Sequence, residues 1–307
     1  MSVRARLAMA AGAVAMALAV LVVGGCTRPT TPAAGPTPTA PKTSGGKMIQ
    51  IKGSDTMVNL GQAWAEAFTN KTGIQVAVTG GGSGTGIAAL LNGTCDIAES
   101  SRKMEDQELT EAKTKGITPK ETMVAMDGLA VVVNPENPVS KLTLDQLRDI
   151  FMGKVTNWQE VGGKDSALVV LSREVNSGTH VYFKEHVLRK GNKKGTEEFA
   201  ASALLQSSSQ AIADEVAQNP KAIGYYGMGY ISPKHKAIAV GKTAAGPFVQ
   251  PSPENVVNGT YSISRPLLLY TNGEPAGPAK EYIDFVLSPE GQKIVGQQEF
   301  VPVPKKP

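Results

Sequence analysis

The hydrophobic and polar positions of the chain predict short strands that alternate with amphipathic helices from residue 48 onward. Apolar segments of strand length lie at residues 49–51, 74–78 and 167–171. After the first of these segments, apolar residues recur at the spacing of a helix that buries one face, namely Met57, Leu60, Trp64 and Phe68. This alternation of strands and helices is typical of an α/β protein.

A break in the middle of the chain indicates a second domain. Residues 128–133 form a nearly continuous apolar strand, typical of a sheet covered on both faces, and two prolines interrupt the segment that follows. We expect the chain to cross between domains there and to return later. The sequence predicts domain I from residues 48–133 and 237–307 and domain II from residues 134–236, each a mixed sheet flanked by helices, with a ligand cleft between them.

Further elements are predicted in both domains. Thr143 and Ser288 are residue types that cap helix N-termini, and each stands directly before an expected helix. The expected strands lie at residues 222–226 and 266–270, and the expected helices at residues 144–151, 197–205, 209–217, 279–287 and from residue 289 onward.

The N-terminal residues have the pattern of an export signal. Two arginines precede an apolar run at residues 7–23, which is short for a membrane-spanning helix. The tetrapeptide at 23–26 resembles a bacterial lipobox, so we expect residues 1–25 to be a lipoprotein signal peptide and Cys26 to be acylated. Residues 26–47, rich in Pro, Thr and Gly, are then a tether on the outer face of the membrane. A signal anchor with an incidental cysteine is the alternative.

Composition excludes several classes of function. The 307 residues, of which 41% are hydrophobic, are enough for two domains with substantial cores. The net charge of +4 is small and the basic residues are scattered, so we expect no nucleic-acid partner. Three histidines and two cysteines show no metal-ligand spacing, and neither a metal nor a cofactor is expected. Cys95 is interpreted as a small buried apolar residue.

Four loops place hydroxyl side chains or an arginine where strands end and helices begin. At a helix N-terminus the first backbone amides have no intrahelical partner and the macrodipole is positive, which favours an anion. Hydroxyls add donors, and an arginine fork matches two oxygens of one oxyanion. The candidate residues are Ser54 and Thr56 in loop 53–57, Ser83 in loop 80–86, Ser101 and Arg102 in loop 99–102, and Arg173, Ser177, Gly178 and Thr179 in loop 173–179.

Each loop also has a simpler structural interpretation. Asp55, Thr56 and Ser177 are good N-cap residue types. Arg102 is alternatively a solvated surface charge, and the glycine run 80–86 a flexible linker. That run lacks the Gly-Lys-Ser/Thr ending of a nucleotide-binding loop and fits the dinucleotide fingerprint poorly. Because the four loops come from both predicted domains, we favour a cleft that holds an anion.

The same segments carry a resemblance to a known family. Residues 48–307 resemble the phosphate-binding proteins of bacterial phosphate ABC transporters, which have a type II periplasmic-binding-protein fold. The motifs that carry the resemblance occur in order and are Gly53-Ser-Asp-Thr-Met57, Gly82-Ser-Gly-Thr-Gly86, Asp96-Ile-Ala-Glu-Ser-Ser-Arg102, Arg173 with Ser177-Gly-Thr179, Ala222-Ile-Gly-Tyr225 and Phe285-Val-Leu-Ser-Pro-Glu-Gly291.

The resemblance implies a monomeric receptor, not an enzyme, that buries inorganic phosphate between its domains and delivers it to a membrane permease. Carried onto this sequence, the implied phosphate contacts are Thr56, Met57 through its backbone, Ser83, Ser101, Arg173, Ser177, Gly178 and Thr179.

Two positions depart from the family pattern. Ser101 stands where well-studied members have an aspartate that accepts the proton of bound hydrogen phosphate, and Val175 replaces the usual acidic partner of the site arginine. Sulfate only accepts hydrogen bonds near neutral pH, whereas phosphate still donates one, so a buried carboxylate selects phosphate. Asp55 is our candidate for the missing proton acceptor.

Two other classes of function remain open at this point. The chain is alternatively a receptor for another tetrahedral oxyanion such as sulfate, or an adhesin or signalling module on the same fold. An enzyme that uses Ser177 as a nucleophile is disfavoured, because Ser177 lacks a nucleophile-elbow context and no histidine has an evident orienting acid. His180, three residues further on, is expected to face solvent.

Overall fold

The computed structural model describes residues 48–303, and the predicted signal peptide, the lipidation site Cys26 and the tether lie outside them. None of the helices in the described part is long and apolar enough to cross a membrane.

Strands and helices alternate along the described chain. The strands are β1 (Ile49–Gly53), β2 (Val76–Thr79), β3 (Ile97–Ser100), β4 (Pro119–Val133), β5 (Lys141–Thr143), β6 (Val169–Arg173), β7 (Leu204–Gln206), β8 (Ala222–Gly227), β9 (Lys236–Ala237), β10 (Ala239–Gly241), β11 (Phe248–Val249), β12 (Ser264–Asn272) and β13 (Val301–Pro302). The α-helices are α1 (Val58–Thr72), α2 (Ser83–Leu91), α3 (Asp106–Thr114), α4 (Leu144–Phe151), α5 (Gly178–Phe183), α6 (Ser209–Gln218), α7 (Pro253–Val257), α8 (Gly277–Leu287) and α9 (Pro289–Gln297). One π turn, Lys184–Leu188, continues α5, and short 3₁₀ turns lie at Trp158–Val161 and Met228–Tyr230.

The long strand β4 connects the two halves of the main sheet. The strand order is β2-β1-β3-β12-β4-β8-β6-β7, and a smaller sheet has the order β11-β10-β5. The pairs of β1 with β2 and β3 are parallel, whereas β4 pairs antiparallel with β12 along residues 119–128 and with β8 along residues 129–133. The sheet is therefore mixed and flanked by helices, as predicted. The division into domains I and II stays a prediction, because one strand runs through both halves.

Separate apolar cores support the two halves. On one side of β4, the helices α1 and α8 pack Trp64, Phe68 and Tyr282 against β1. Beyond β4, Phe151, Phe183 and other buried side chains pack against the second half of the sheet. Burial of an aromatic side chain contributes about 1.5–3 kcal/mol. The strand ends that carry the candidate site are thus held by rigid, well-packed layers.

Most local predictions of helices are confirmed. Helix α1 ends at Gly73, which has φ of 78° and donates its N–H to Thr69 O. Thr143 caps α4 by accepting from Gln146 N, and Ser288 caps α9 by accepting from Gly291 N.

The helix predicted at residues 197–205 is wrong. Residues 204–206 instead form the edge strand β7, which pairs in parallel with β6. The segment before it is irregular, and Glu197 accepts a hydrogen bond from Arg148 through its carboxylate and another from Arg189 through its carbonyl. Long-range partners therefore override the local helical preference of this segment.

Candidate anion-binding site

Three serines from three different loops meet at the carboxyl ends of β1 and β3. Ser54 Oγ donates to Ser101 Oγ at 3.0 Å, and Ser83 Oγ lies 3.3 Å from Ser101 Oγ. The backbone N–H of Ser101 also donates to Ser83 Oγ at 3.1 Å. All three side chains are at most 1% exposed. Buried hydroxyls that depend on one another for partners form a polar cluster suited to a buried polar ligand.

The fourth loop closes against this serine cluster. Thr179 Oγ1 lies 2.8 Å from Thr56 Oγ1, and both side chains are buried. A side chain on Gly178 would clash, because a Cβ there would lie 2.3 Å from Ser83 Oγ and 2.8 Å from Ser101 Oγ. Glycine is thus required by the close approach of the fourth loop to the first three. The structure brings all four predicted loops together.

Arg173 is fixed at the centre of these loops by four hydrogen bonds. Its side chain is 1% exposed, and one Nη2–H donates to Asp55 Oδ2 at 2.7 Å. The other bonds run from Nη2 to Ser207 O at 3.0 Å, from Nη1 to Ser209 Oγ at 3.1 Å and from Nε to Gln206 O at 3.3 Å. Asp55 thereby supplies the negative partner that Val175, 69% exposed, does not provide.

Asp55 and Thr56 do not cap helix α1. The N-cap is Met57, with no side-chain cap, and the Met57 N–H donates to Ser54 O at 3.0 Å. The Asp55 carboxylate binds Arg173 and also accepts from Gly81 N at 3.0 Å. The two side chains that the capping interpretation assigned to the helix therefore contact the fourth loop instead, Asp55 through Arg173 and Thr56 through Thr179.

Ser177 acts as the N-cap of α5. Its Oγ accepts from the backbone N–H of Thr179 at 3.2 Å and of His180 at 3.5 Å. The side chain is 2% exposed. The capping interpretation of Ser177 is thus confirmed, and a hydroxyl that accepts from two amides still has its own hydrogen to donate.

The Arg102 guanidinium pairs with helix α3 and not with a serine of the cluster. Its Nη1 and Nη2 atoms donate to the two carboxylate oxygens of Glu108, each at 2.7 Å. Burial opposes the charged form of Arg102, but the hydrogen bond and charge of Glu108 outweigh it, so the pKa of Arg102 is raised. Arg102 is neither a free surface charge nor hydrogen-bonded to another predicted site residue, and its role as an anion ligand stays a prediction.

His180 does not face solvent, contrary to the expectation. It is 3% exposed, its Nδ1 lies 2.8 Å from Arg173 O, and its ring lies 4.5 Å from that of Phe199. Burial, with a smaller contribution from Lys184, lowers the pKa of His180 to about 4. Helix α5 folds back onto the end of β6, which turns this residue inward. Because its ring nitrogen contacts Arg173 and only its backbone contacts Ser177, the arrangement does not activate Ser177 as a nucleophile.

Two buried charges beside the cluster were missed from the sequence. Arg265 of β12 and Asp127 of β4 form an ion pair at 2.8 Å, and both are 0% exposed. Arg265 Nη2 also donates to Thr56 Oγ1 at 3.2 Å. The available signal was that Asp127 stands between apolar stretches of β4 and that Arg265 directly precedes the apolar stretch of β12, but only the pairing of the strands shows that the two charges meet.

Asn176 was also missed, and it connects two of the loops. Its Nδ2 donates to Gly81 O at 2.8 Å and to Thr85 Oγ1 at 3.1 Å. The backbone carbonyl of Asn176 accepts from Gly84 N at 3.0 Å. Within residues 48–303, no cluster of three or more His, Cys, Asp or Glu residues is placed to hold a metal ion. The loops therefore offer hydroxyls, amides and one neutralised guanidinium, a donor set suited to an oxyanion.

Known proteins share this arrangement of elements. The sequence matches the PBP superfamily domain over residues 31–290. The phosphate-binding protein PstS of Pseudomonas aeruginosa is 33% identical over 272 residues, which cover 83% of this chain and 82% of that protein. PstS of Bacillus subtilis is 34% identical over 258 residues, which cover 83% of this chain and 80% of that protein.

A solved structure shows the same similarity in three dimensions. A protein from Clostridium perfringens, assigned as a phosphate ABC transporter substrate-binding protein and determined with bound phosphate, has a TM-score of 0.75 and 35% identity. The match covers 84% of this chain and 100% of that chain.

Fold and site together define a solute-binding protein of the PBP class, which confirms the predicted architecture. The chain belongs to the family of phosphate-binding proteins PstS. Its members are binding proteins, and the expectation that this chain is not an enzyme is confirmed by that membership.

Proposed function

We propose that this protein is the substrate-binding component of a phosphate ABC transporter, which captures inorganic phosphate outside the cytoplasmic membrane and delivers it to the permease. The observation that carries this proposal is the convergence of four loops on one buried cluster, with Gly178 within van der Waals reach of Ser83 and Ser101. The relatives, which are PstS phosphate-binding proteins and a protein solved with bound phosphate, support phosphate as the anion.

The proposed phosphate ligands are the residues of this cluster. Hydroxyls and backbone amides donate to the anion oxygens, and Arg173 donates from a guanidinium already paired with Asp55. The full proposed set comprises Ser54, Asp55, Thr56, Met57, Ser83, Ser101, Arg102, Arg173, Ser177, Gly178 and Thr179.

Asp55 is the proposed acceptor of the phosphate proton. Its carboxylate pairs with Arg173, and it takes the place of the aspartate that the family has at position 101 and of the acidic residue that the family has at position 175. A carboxylate accepts a hydrogen bond from protonated phosphate, whereas it repels fully ionised sulfate. Asp55 therefore gives the site its preference for phosphate.

We further propose that the protein is exported and tethered to the outer face of the cytoplasmic membrane. The basic, apolar and lipobox-like segments of residues 1–26 support a signal peptide with acylation of Cys26. A monomer is sufficient for this role, since all four loops come from one chain.

The proposal is tested by calorimetric titration of the purified protein, refolded to remove any copurified anion. We expect tight phosphate binding at neutral pH and little heat with sulfate. Comparable binding of both anions would contradict the role of Asp55 in selectivity but keep the oxyanion receptor. Binding of neither anion would overturn the receptor function and favour an adhesin or signalling module on this fold.

A further inference from the structure

The buried ion pair of Arg265 and Asp127 lies directly behind the anion site. The two residues are register partners on the adjacent antiparallel strands β12 and β4. Arg265 donates to Asp127 Oδ2 from Nε at 3.0 Å and from Nη2 at 2.8 Å. Asp127 Oδ1 accepts from Met228 N at 3.0 Å. These bonds fix the guanidinium in one orientation.

This ion pair has no evident advantage for stability. Burial raises the pKa of Asp127 and lowers that of Arg265, so each charge depends on the other for its ionised state. Arg265 Nη1 is buried without a hydrogen-bond partner in the described part of the chain. Buried ion pairs often contribute little or nothing to folding, because desolvation offsets their attraction. A role in the site explains the pair better.

The role in the site follows from the hydrogen bond that Arg265 donates to Thr56. A guanidinium has only donors, so Thr56 Oγ1 must accept from Arg265 Nη2 at 3.2 Å. The single hydroxyl hydrogen of Thr56 then points elsewhere, and Thr179 Oγ1 lies 2.8 Å away. With Thr179 as the acceptor of this bond, the Thr179 hydrogen remains for a further acceptor. The donors thus run in one direction, from Arg265 through Thr56 to Thr179 and into the cluster.

We propose that Arg265, held by Asp127, is a positioning residue of the anion site that orients the Thr56 hydroxyl towards Thr179, so that the Thr179 hydroxyl is a donor towards the bound anion. The inference rests on the proposed function, since it names the residue that prepares the same site. Phosphate oxygens without a proton only accept hydrogen bonds, so hydroxyls already oriented as donors need no reorganisation on binding. Bonds along such a chain also strengthen one another.

A double-mutant cycle tests the proposal by calorimetric titration with inorganic phosphate. One axis is the paired change Arg265→Met with Asp127→Asn, which removes both charges and keeps an acceptor for Met228 N. The other axis is Thr56→Val, which keeps the shape of the side chain and removes the hydroxyl. We expect the paired change to weaken phosphate binding about tenfold or more with Thr56 present, the scale of a charge-assisted hydrogen bond. With Val at position 56, the same change should cost less than about twofold.

A matched control comes from a second ion pair at the far end of the same two strands. Lys120 of β4 forms an exposed ion pair with Glu274, which follows β12. Lys120→Met with Glu274→Gln removes two charges there, and we expect unchanged phosphate affinity. Circular dichroism melting shows whether each variant is folded.

The outcomes separate this inference from the proposed function. Equal loss of affinity in both backgrounds, or no loss, overturns the positioning role, whereas failure of the native protein to bind phosphate overturns the receptor itself. If the paired variant does not fold, Arg265→Lys takes its place in the cycle. Lysine keeps the charge beside Asp127 but lacks the fixed fork that reaches both Asp127 and Thr56, so a loss confined to the Thr56 background is again expected.

Discussion

Gly178 is the residue at which the loops approach most closely, and it gives a direct test of the closed geometry. A Cβ at Gly178 would lie 2.3 Å from Ser83 Oγ. We expect Gly178→Ala to weaken phosphate binding at least about fivefold, since overpacking costs about 1–3 kcal/mol. Calorimetric titration measures this loss.

A second glycine provides the control for that substitution. Gly296 lies in α9, and a Cβ there meets nothing within 4 Å. We expect Gly296→Ala to leave phosphate affinity unchanged and to stabilise the protein by about 0.5–1 kcal/mol. Unchanged affinity of the Gly178 variant would show that this loop does not close on Ser83 when the anion binds.

Asp55 tests the origin of selectivity at the same scale. We expect Asp55→Asn to weaken phosphate binding and strengthen sulfate binding, so that the ratio of the two affinities falls at least about tenfold, the scale of one hydrogen bond to a charged group. The reasons are loss of the proton acceptor and of the charge that neutralises Arg173. Competition titrations at neutral pH measure the ratio. Glu174→Gln, an exposed change beside Arg173, should leave it unchanged.

At the scale of elements, sequence reasoning succeeded where the determining interactions are local. The cap of α4 at Thr143 and the end of α1 at Gly73 depend on residues within one turn. The strand at residues 204–206 depends on pairing with β6, more than thirty residues away in sequence, and a helix was predicted there instead. Local propensity carries no information about such a partner.

The same distinction explains what was predicted of the site. Ser83 begins a helix and Ser177 precedes one, both in glycine-containing segments, and this local pattern marked them. Arg265, Asp127 and Asn176 were missed because their roles arise only when distant strands and loops meet. The hydroxyl residues next to Arg102 in the sequence made it a candidate anion ligand, but its guanidinium forms an ion pair with Glu108 of α3.

Asn176 gives a prediction at the scale of loops. Its side chain connects the loop after β6 to the start of α2 through Gly81 and Thr85. If these bonds hold the closed site, we expect Asn176→Ala to speed phosphate release about five- to tenfold with little effect on association, as is usual for interface changes. Stopped-flow kinetics measures both rates. Asn70→Ala, at an exposed position of α1, is the control, and slowed association in place of faster release would contradict a closing role.

At the scale of the whole molecule, β4 links the two halves that carry the site. Its first part pairs with β12 beside β3, and its second part pairs with β8 beside β6. The serine loops follow β1, β2 and β3, whereas Arg173 ends β6. The change of pairing partner at residues 128–129 in the middle of β4 therefore lies next to Asp127 and its buried ion pair with Arg265.

A buried acid near the site makes the stability of the whole fold depend on pH. Glu99 of β3 is 0% exposed, and neither carboxylate oxygen has a hydrogen-bond partner in the described part of the chain. Burial raises the pKa of Glu99 from 4.5 to about 8. The native state therefore retains a proton that the unfolded state has lost between these two values, and stability must fall as pH rises through this window.

We expect the free energy of unfolding to decrease between pH 6.5 and pH 8 by up to about 1.4 kcal/mol per pH unit through Glu99. His180 acts in the opposite direction, because its pKa is lowered from 6.5 to about 4; its contribution fades as pH rises above 6.5 and is shared by the native protein and Glu99→Gln. Glu99→Gln should remove the decrease, since an amide of the same shape stays neutral, and should be more stable than the native protein at pH 8. Urea unfolding of both proteins across the window measures the slopes. The exposed change Glu66→Gln should retain the native slope, and an unchanged slope in Glu99→Gln would mean that Glu99 is ionised in the folded protein.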